Sequence, residues 1–120
     1  MSVTIYHNPR CSKSRKTLEI LEQHRQQPQI IEYLNTPPDA NTLKQLLVKL
    51  GITARDLLRS KEEEYQLAGL ENQNLSDDEI ITAMIKFPKL IERPIVVIGN
   101  KAILGRPPEK VLELIGQDYA

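Results

Sequence analysis

The residues best equipped for chemistry are nine in a row, His7-Asn8-Pro9-Arg10-Cys11-Ser12-Lys13-Ser14-Arg15. Cys11 is the single cysteine of the chain. Its neighbours are polar and cationic, whereas those of a core cysteine are normally apolar. The thiolate is the nucleophilic form, and an ordinary thiol with a pKa of about 8.5 is only a few per cent ionised at neutral pH. If this loop opens a helix, the N–H groups of the first turn favour an anion at the sulfur. A helix dipole contributes typically ~0.3–1 kcal/mol, and one pKa unit corresponds to ~1.36 kcal/mol. The dipole alone is therefore insufficient. A largely ionised Cys11 also needs Arg10, Lys13, Arg15 or a protonated His7 beside it. The bland alternative is a solvent-facing, inert thiol.

The missing partners narrow the reaction. A C-x5-R phosphatase loop would need Arg at position 17, which is Thr17. A C-x-x-C dithiol would need Cys at position 14, which is Ser14. With no resolving cysteine in the chain, redox turnover at Cys11 requires a second thiol from outside. Cysteine-protease chemistry would need His7 or His24 as base. His24 falls at the far end of the expected helix and reads as a surface or core-edge residue. His7 fits a direct role or a turn residue satisfied by backbone groups about equally well. Three arginines have distinctive settings: Arg59 ends Asp56-Leu57-Leu58-Arg59, Arg93 precedes Pro94, and Arg106 sits between Gly105 and Pro107. Guanidinium forks suit oxyanions, although each arginine alone also reads as a surface charge. Arg93 and Arg106 flank two expected strands, so a shared site is topologically open to them.

Composition bounds the remainder. The chain has 120 residues, 40% hydrophobic and 27% charged, which fits one ordinary globular domain. Sixteen basic and sixteen acidic residues give zero formal charge, and the aromatics are four Tyr and one Phe. A nucleic-acid partner is thereby disfavoured. One Cys and two His cannot form an internal disulfide or the usual Cys/His zinc sites, so no metal is expected. The longest strongly apolar run, Ile95-Val96-Val97-Ile98, is far short of the ~20 residues of a membrane helix. The first ten residues lack the apolar region of a secretion signal. A cytoplasmic protein with a reduced thiol, away from membranes, is expected.

The elements that must position these residues follow from periodicity and punctuation. Val3–Tyr6 reads as a strand ended by His7-Asn8-Pro9. A helix is expected from after Cys11 to about Arg25, with Thr17, Leu18, Leu21 and Arg25 on one face. Gln29 to Leu34 reads as a strand. Leu43, Leu46, Leu47 and Leu50 define an amphipathic helix stopped by Gly51. Thr53 caps a short helix through Arg59. Ser60 with Glu63 and Ser76 with Glu79 both fit capping boxes, for helices reaching about Ala68 and Lys86. Leu75 with Ile80 fits a hydrophobic staple. Ile95–Ile98 and Ala102–Leu104 form a hairpin across Gly99-Asn100-Lys101. Pro107-Pro108 opens a final helix that buries Val111, Leu112 and Ile115 and stops at Gly116. The order β-α-β, helices, β-β-α predicts an α/β fold with one mixed four-stranded sheet, its first pair parallel and its last antiparallel.

His7-Asn8-Pro9-Arg10-Cys11-Ser12-Lys13-Ser14-Arg15, Ala54-Arg55-Asp56-Leu57-Leu58-Arg59, Ile91-Glu92-Arg93-Pro94-Ile95 and Gly105-Arg106-Pro107-Pro108-Glu109 together resemble the glutaredoxin-coupled arsenate reductase family, in the family's order and across essentially the whole chain. The resemblance implies one thioredoxin-like domain over residues 1–120, with a helical insertion at about 40–87. It implies an oxidoreductase that reduces arsenate to arsenite through Cys11. Arg59, Arg93 and Arg106 would hold the oxyanion, and His7 and Ser14 would assist the thiol. Pro94 would be a cis-proline facing the active-site loop. It further implies glutaredoxin as partner and glutathione as co-substrate, with no bound cofactor. Relatives of other function keep two alternatives open: a glutathione-dependent thiol reductase without arsenate activity, and a non-catalytic binding module of the Spx type. Ser14 speaks against the latter, because the Spx type carries C-x-x-C.

Overall fold

A computed structural model describes the backbone of residues 2–119 and the side chains of residues 2–116. The chain divides into two compact units, Pro37–Glu92 and the segments that flank it on both sides. The flanking segments hold strands β1 (Val3–Tyr6), β2 (Gln29–Ile31), β3 (Ile95–Ile98) and β4 (Lys101–Leu104), with helices α1 (Ser12–Gln23) and α5 (Val111–Tyr119). The strand order is β2-β1-β3-β4. β1 runs parallel to β2 and antiparallel to β3, and β3 pairs antiparallel with β4. This is the mixed sheet that the sequence predicts, and β-α-β followed by β-β-α around it is the thioredoxin-like arrangement.

Alternation along the central strands selects the buried face. Val3 and Ile5 of β1 stand opposite Ile98 and Val96 of β3. These four pack with Ile20 and Leu21 of α1 and with Val111, Leu114 and Ile115 of α5. Each such aliphatic side chain contributes roughly 1.5–3 kcal/mol through burial. α1 presents Ser14, Thr17, Ile20 and Leu21 inward, a stripe with the helical period. It ends before Arg25, which takes a left-handed conformation (φ 62°). The Gln26 N–H then reaches the Leu21 carbonyl and the Arg25 N–H reaches that of Glu22. Such a double closure normally uses glycine, so the expected helical Arg25 gives way to a cap.

Three expectations are corrected within these segments. β2 stops at Ile31 because the Glu32 carbonyl accepts the N–H groups of Asn35 and Thr36, turning the chain before Leu34. α5 buries Leu114, while Leu112 is exposed. Gly116 lies inside α5. Glycine costs about 1 kcal/mol in a helix interior but does not by itself terminate one.

Pro37–Glu92 holds α2 (Ala40–Leu50), α3 (Glu63–Leu67) and α4 (Asp77–Lys86), with short 3-10 turns at Arg55–Leu57 and Pro88–Leu90. Asp39 caps α2 by accepting the Thr42 N–H, and Gly51 closes it at φ 70°. The capping box of Ser76 and Glu79 is present at α4. That of Ser60 and Glu63 is not: α3 starts after Glu62 and has no side-chain cap. The Glu62 N–H turns back onto the Arg59 carbonyl while its carboxylate pairs with Arg59, which delays the helix past Ser60. The Arg55 guanidinium ties the loop after α3 together by donating to the Leu70 and Asn72 carbonyls. An antiparallel bridge joins Leu58 to Ile91. Among the described residues, no helix is long and apolar enough to cross a membrane.

Candidate active site

The loop between β1 and α1 is fixed by its own sequence. The His7 N–H continues the parallel ladder by donating to the Ile31 carbonyl at 2.8 Å. The Asn8 side-chain oxygen accepts the Arg10 N–H at 3.0 Å, and the Asn8 carbonyl accepts the Cys11 N–H at 3.0 Å. Arg15 reaches back to the Pro9 carbonyl at 3.0 Å. These bonds set Cys11 in an extended conformation at the N-cap of α1.

Cys11 is 9% exposed, so it is neither solvent-facing nor fully enclosed. Burial pushes its thiol up, but the opposing effects prevail and the thiol lies below its ordinary value. The Ser14 and Lys13 N–H groups in the first turn and the Arg93 guanidinium favour the thiolate, without a side-chain cap hydrogen bond at Cys11. The cation beside the sulfur is thus Arg93, at the entry to β3. Arg10 in the loop and Arg15 in α1 are both exposed, and neither is among the groups that shift the thiol.

His7 is buried and shares a 2.6 Å hydrogen bond with the Ser14 hydroxyl through Nδ1. Burial holds its imidazole below the usual histidine value; Glu32 opposes this and Arg15 adds to it. His7 is therefore neutral at neutral pH, and the protonated His7 considered as a source of positive charge is corrected. Ser14 is completely buried. Its hydroxyl also accepts the Asn8 N–H at 3.0 Å. The side chains of His7 and Ser14 thus hold the loop, while the Ser14 backbone N–H acts on the sulfur. His24 is exposed, with Nδ1 at 3.0 Å from the Ile20 carbonyl at the end of α1.

The Arg93–Pro94 bond is cis, and so is Arg106–Pro107, which the sequence reading did not anticipate. The Pro94 carbonyl accepts the Gly105 N–H at 3.0 Å. Arg106 donates from Nη1 to the Arg93 carbonyl at 3.3 Å. Arg93 thus acts on the Cys11 sulfur, and Arg106 is tied to the backbone of Arg93. Arg59 belongs to Pro37–Glu92. Its Nη1 pairs with Glu62 at 2.7 Å and its Nε approaches Glu92 at 3.7 Å. Neither carboxylate was singled out in the sequence, although Glu62 lies three residues after Arg59, a spacing that brings side chains together at a turn. Among the described residues, no three His, Cys, Asp or Glu side chains gather as a metal site would require.

The arrangement is a thiol whose ionised form is favoured by helix amides and a guanidinium, suited to attack on an electrophilic centre that carries anionic oxygens. Known proteins resemble this chain along nearly its whole length. The ArsC family model matches residues 6–114. An uncharacterized protein of Escherichia coli K12, YfgD, is 53% identical over 115 residues, covering 95% of this chain and 97% of that protein. An arsenate reductase of Haemophilus influenzae is 49% identical over 116 residues, covering 96% of this chain and 100% of that enzyme. The structure of an arsenate reductase from Vibrio cholerae superimposes with a TM-score of 0.91 at 54% identity, covering 94% of this chain and 97% of that one.

Proposed function

Because the chain belongs to the ArsC family, we propose that it reduces arsenate to arsenite, with Cys11 as nucleophile and glutathione and glutaredoxin as external thiol donors. The observation that carries this reading is the lowered thiol of the single cysteine, favoured as thiolate by the Ser14 N–H and Arg93. Relatives named arsenate reductase along nearly the full length support the substrate.

The Cys11 thiolate attacks arsenic, and one arsenate oxygen leaves as water once protonated. A glutathione thiol then joins arsenic and displaces a second oxygen as water. Glutaredoxin's thiolate attacks the glutathione sulfur, forming a mixed disulfide and leaving the electron pair of the As–S bond on arsenic. Water replaces Cys11 on the As(III) centre, arsenite departs and the thiol is restored. Overall, two external thiols become one disulfide, arsenic gains two electrons, and one oxygen leaves as water. Arg93 offsets negative charge first on the sulfur and then on the attacked oxyanion, and Arg106 holds the Arg93 backbone for that task.

The test is arsenite release from purified protein given arsenate, with glutathione and glutaredoxin added separately and together. Release only with both, abolished in Cys11→Ser, is expected. Activity retained in Cys11→Ser, or no arsenite with both donors, would overturn the proposal. Glutathione oxidation that proceeds without arsenate would instead assign a general thiol reductase.

A further inference from the structure

Position 17 is where a phosphatase loop would carry its arginine, and here it holds a threonine with no exposed surface. The Thr17 hydroxyl donates to the Lys13 carbonyl at 2.8 Å. That carbonyl belongs to the Lys13–Ser14 peptide, whose N–H is a first-turn amide of α1, three residues after the N-cap Cys11 and facing the same helix end. A bond accepted at one end of a peptide polarises the donor at its other end, by about 10–30% per bond. The series Thr17 hydroxyl, Lys13 carbonyl and Ser14 N–H is therefore continuous through one planar unit, and it ends at the helix terminus that Cys11 caps.

The hydroxyl is also held in place. A Cβ added at Gly105 would lie 2.5 Å from Thr17 Oγ1, 3.0 Å from Thr17 Cγ2 and 2.9 Å from Pro94 Cγ. Gly105 thus lets the segment after β4 close directly over Thr17 and Pro94, leaving the threonine little room to turn. Threonine bonding to the carbonyl four residues back is common and by itself slightly unfavourable for a helix. Its place here, in the second turn of α1 and bonded to this particular first-turn peptide, makes it chemical.

We propose that Thr17 is a positioning residue for the Cys11 thiolate, its hydroxyl holding and polarising the Lys13–Ser14 peptide that faces the sulfur. This rests on Cys11 being the nucleophile and deepens that reading. The other groups acting on the sulfur stay unchanged in a Thr17 variant: Arg93 at the entry to β3 and the Lys13 N–H in α1. His7, at the end of β1, is neutral and acts through Ser14.

The experiment is titration of the Cys11 thiolate by its ultraviolet absorbance and by its alkylation rate against pH, neither of which needs arsenate. Thr17→Val keeps the shape and removes the donor. Its midpoint should rise by about half a unit, with roughly threefold slower alkylation below the midpoint. Thr17→Ser should keep the native midpoint and Thr17→Ala should rise with Thr17→Val, so the Ser and Ala pair decides the matter should Thr17→Val fail to fold. Equal midpoints for Thr17→Ser and Thr17→Ala would overturn the proposal. If the titration behaves as expected and arsenite release fails, the arsenate reading falls alone.

Discussion

A buried thiol in an apolar setting would be harder to ionise than one in water, so Cys11 must owe its activation to particular groups. Arg93 supplies both charge and a hydrogen bond, and the Ser14 and Lys13 amides supply the rest. Arg93→Ala should therefore raise the Cys11 midpoint toward or above that of an ordinary thiol. Arg93→Lys should fall between, because lysine keeps the charge but loses the planar fork. The sign for stability follows from the depressed folded-state value. Between the folded and unfolded thiol values the unfolded chain binds more protons, so stability rises with pH across that window. The contribution is complete above the unfolded value of about 8.5 and is lost as pH falls through the folded one. Urea unfolding of native protein and Cys11→Ser across this range should show that rise only in the native protein, and more weakly in Arg93→Ala. Parallel profiles for native protein and Cys11→Ser would contradict the activated thiol. Much of this residue-level picture is legible in the sequence: a polar loop around a single cysteine points to a nucleophile. The source of its charge is harder to read, because Arg93 lies more than eighty positions away and only the pairing of β1 with β3 returns it to the loop.

Elements set by local chemistry are read correctly where the local bonds have no competitor. Ser76 and Glu79 cap α4 as their spacing requires, and Gly51 closes α2 because its left-handed φ suits glycine. Ser60 and Glu63 have the same spacing and fail, since Glu62 is drawn to Arg59 and the chain turns first. Gly105 is the reverse case, an unremarkable residue in the sequence whose importance lies in what closes over it. Its missing side chain lets the segment after β4 meet α1 and Pro94 at contact distance. Gly105→Ala would put a methyl within 3 Å of Thr17 and Pro94, so one of them must move. Overpacking of this kind costs typically 1–3 kcal/mol. Denaturant unfolding should show a loss in that range, and Thr17→Ala in the same chain should recover part of it by removing two of the three contacts. An unchanged midpoint in Gly105→Ala would mean that the close approach yields without resistance. Gly51→Ala separates the two uses of glycine, because no atom lies within 4 Å of its added Cβ and only the backbone conformation resists it.

At the scale of the whole molecule, the cysteine count limits the chemistry more than any other number. One thiol in 120 residues can act as a nucleophile but cannot resolve its own adduct, because resolution requires a second sulfur to attack. Enzymes that carry their own resolving cysteines store the oxidising equivalent as an internal disulfide; this chain has nowhere to store it. The proposed reaction therefore leaves its oxidised product on the donors, and the protein returns to the thiol after each turnover. If glutathione is present but the glutaredoxin step is withheld, the cycle should halt with glutathione still attached to the arsenic adduct on Cys11. Intact-mass spectrometry under arsenate and glutathione should then show an addition of one glutathione together with one arsenic centre, confined to the peptide containing Cys11. Adding glutaredoxin should discharge it and return the mass to that of the unmodified chain as arsenite appears. Cys11→Ser should acquire no addition under any of these conditions. A halted state carrying two glutathiones would contradict the single-thiol cycle, and so would turnover driven by thioredoxin alone.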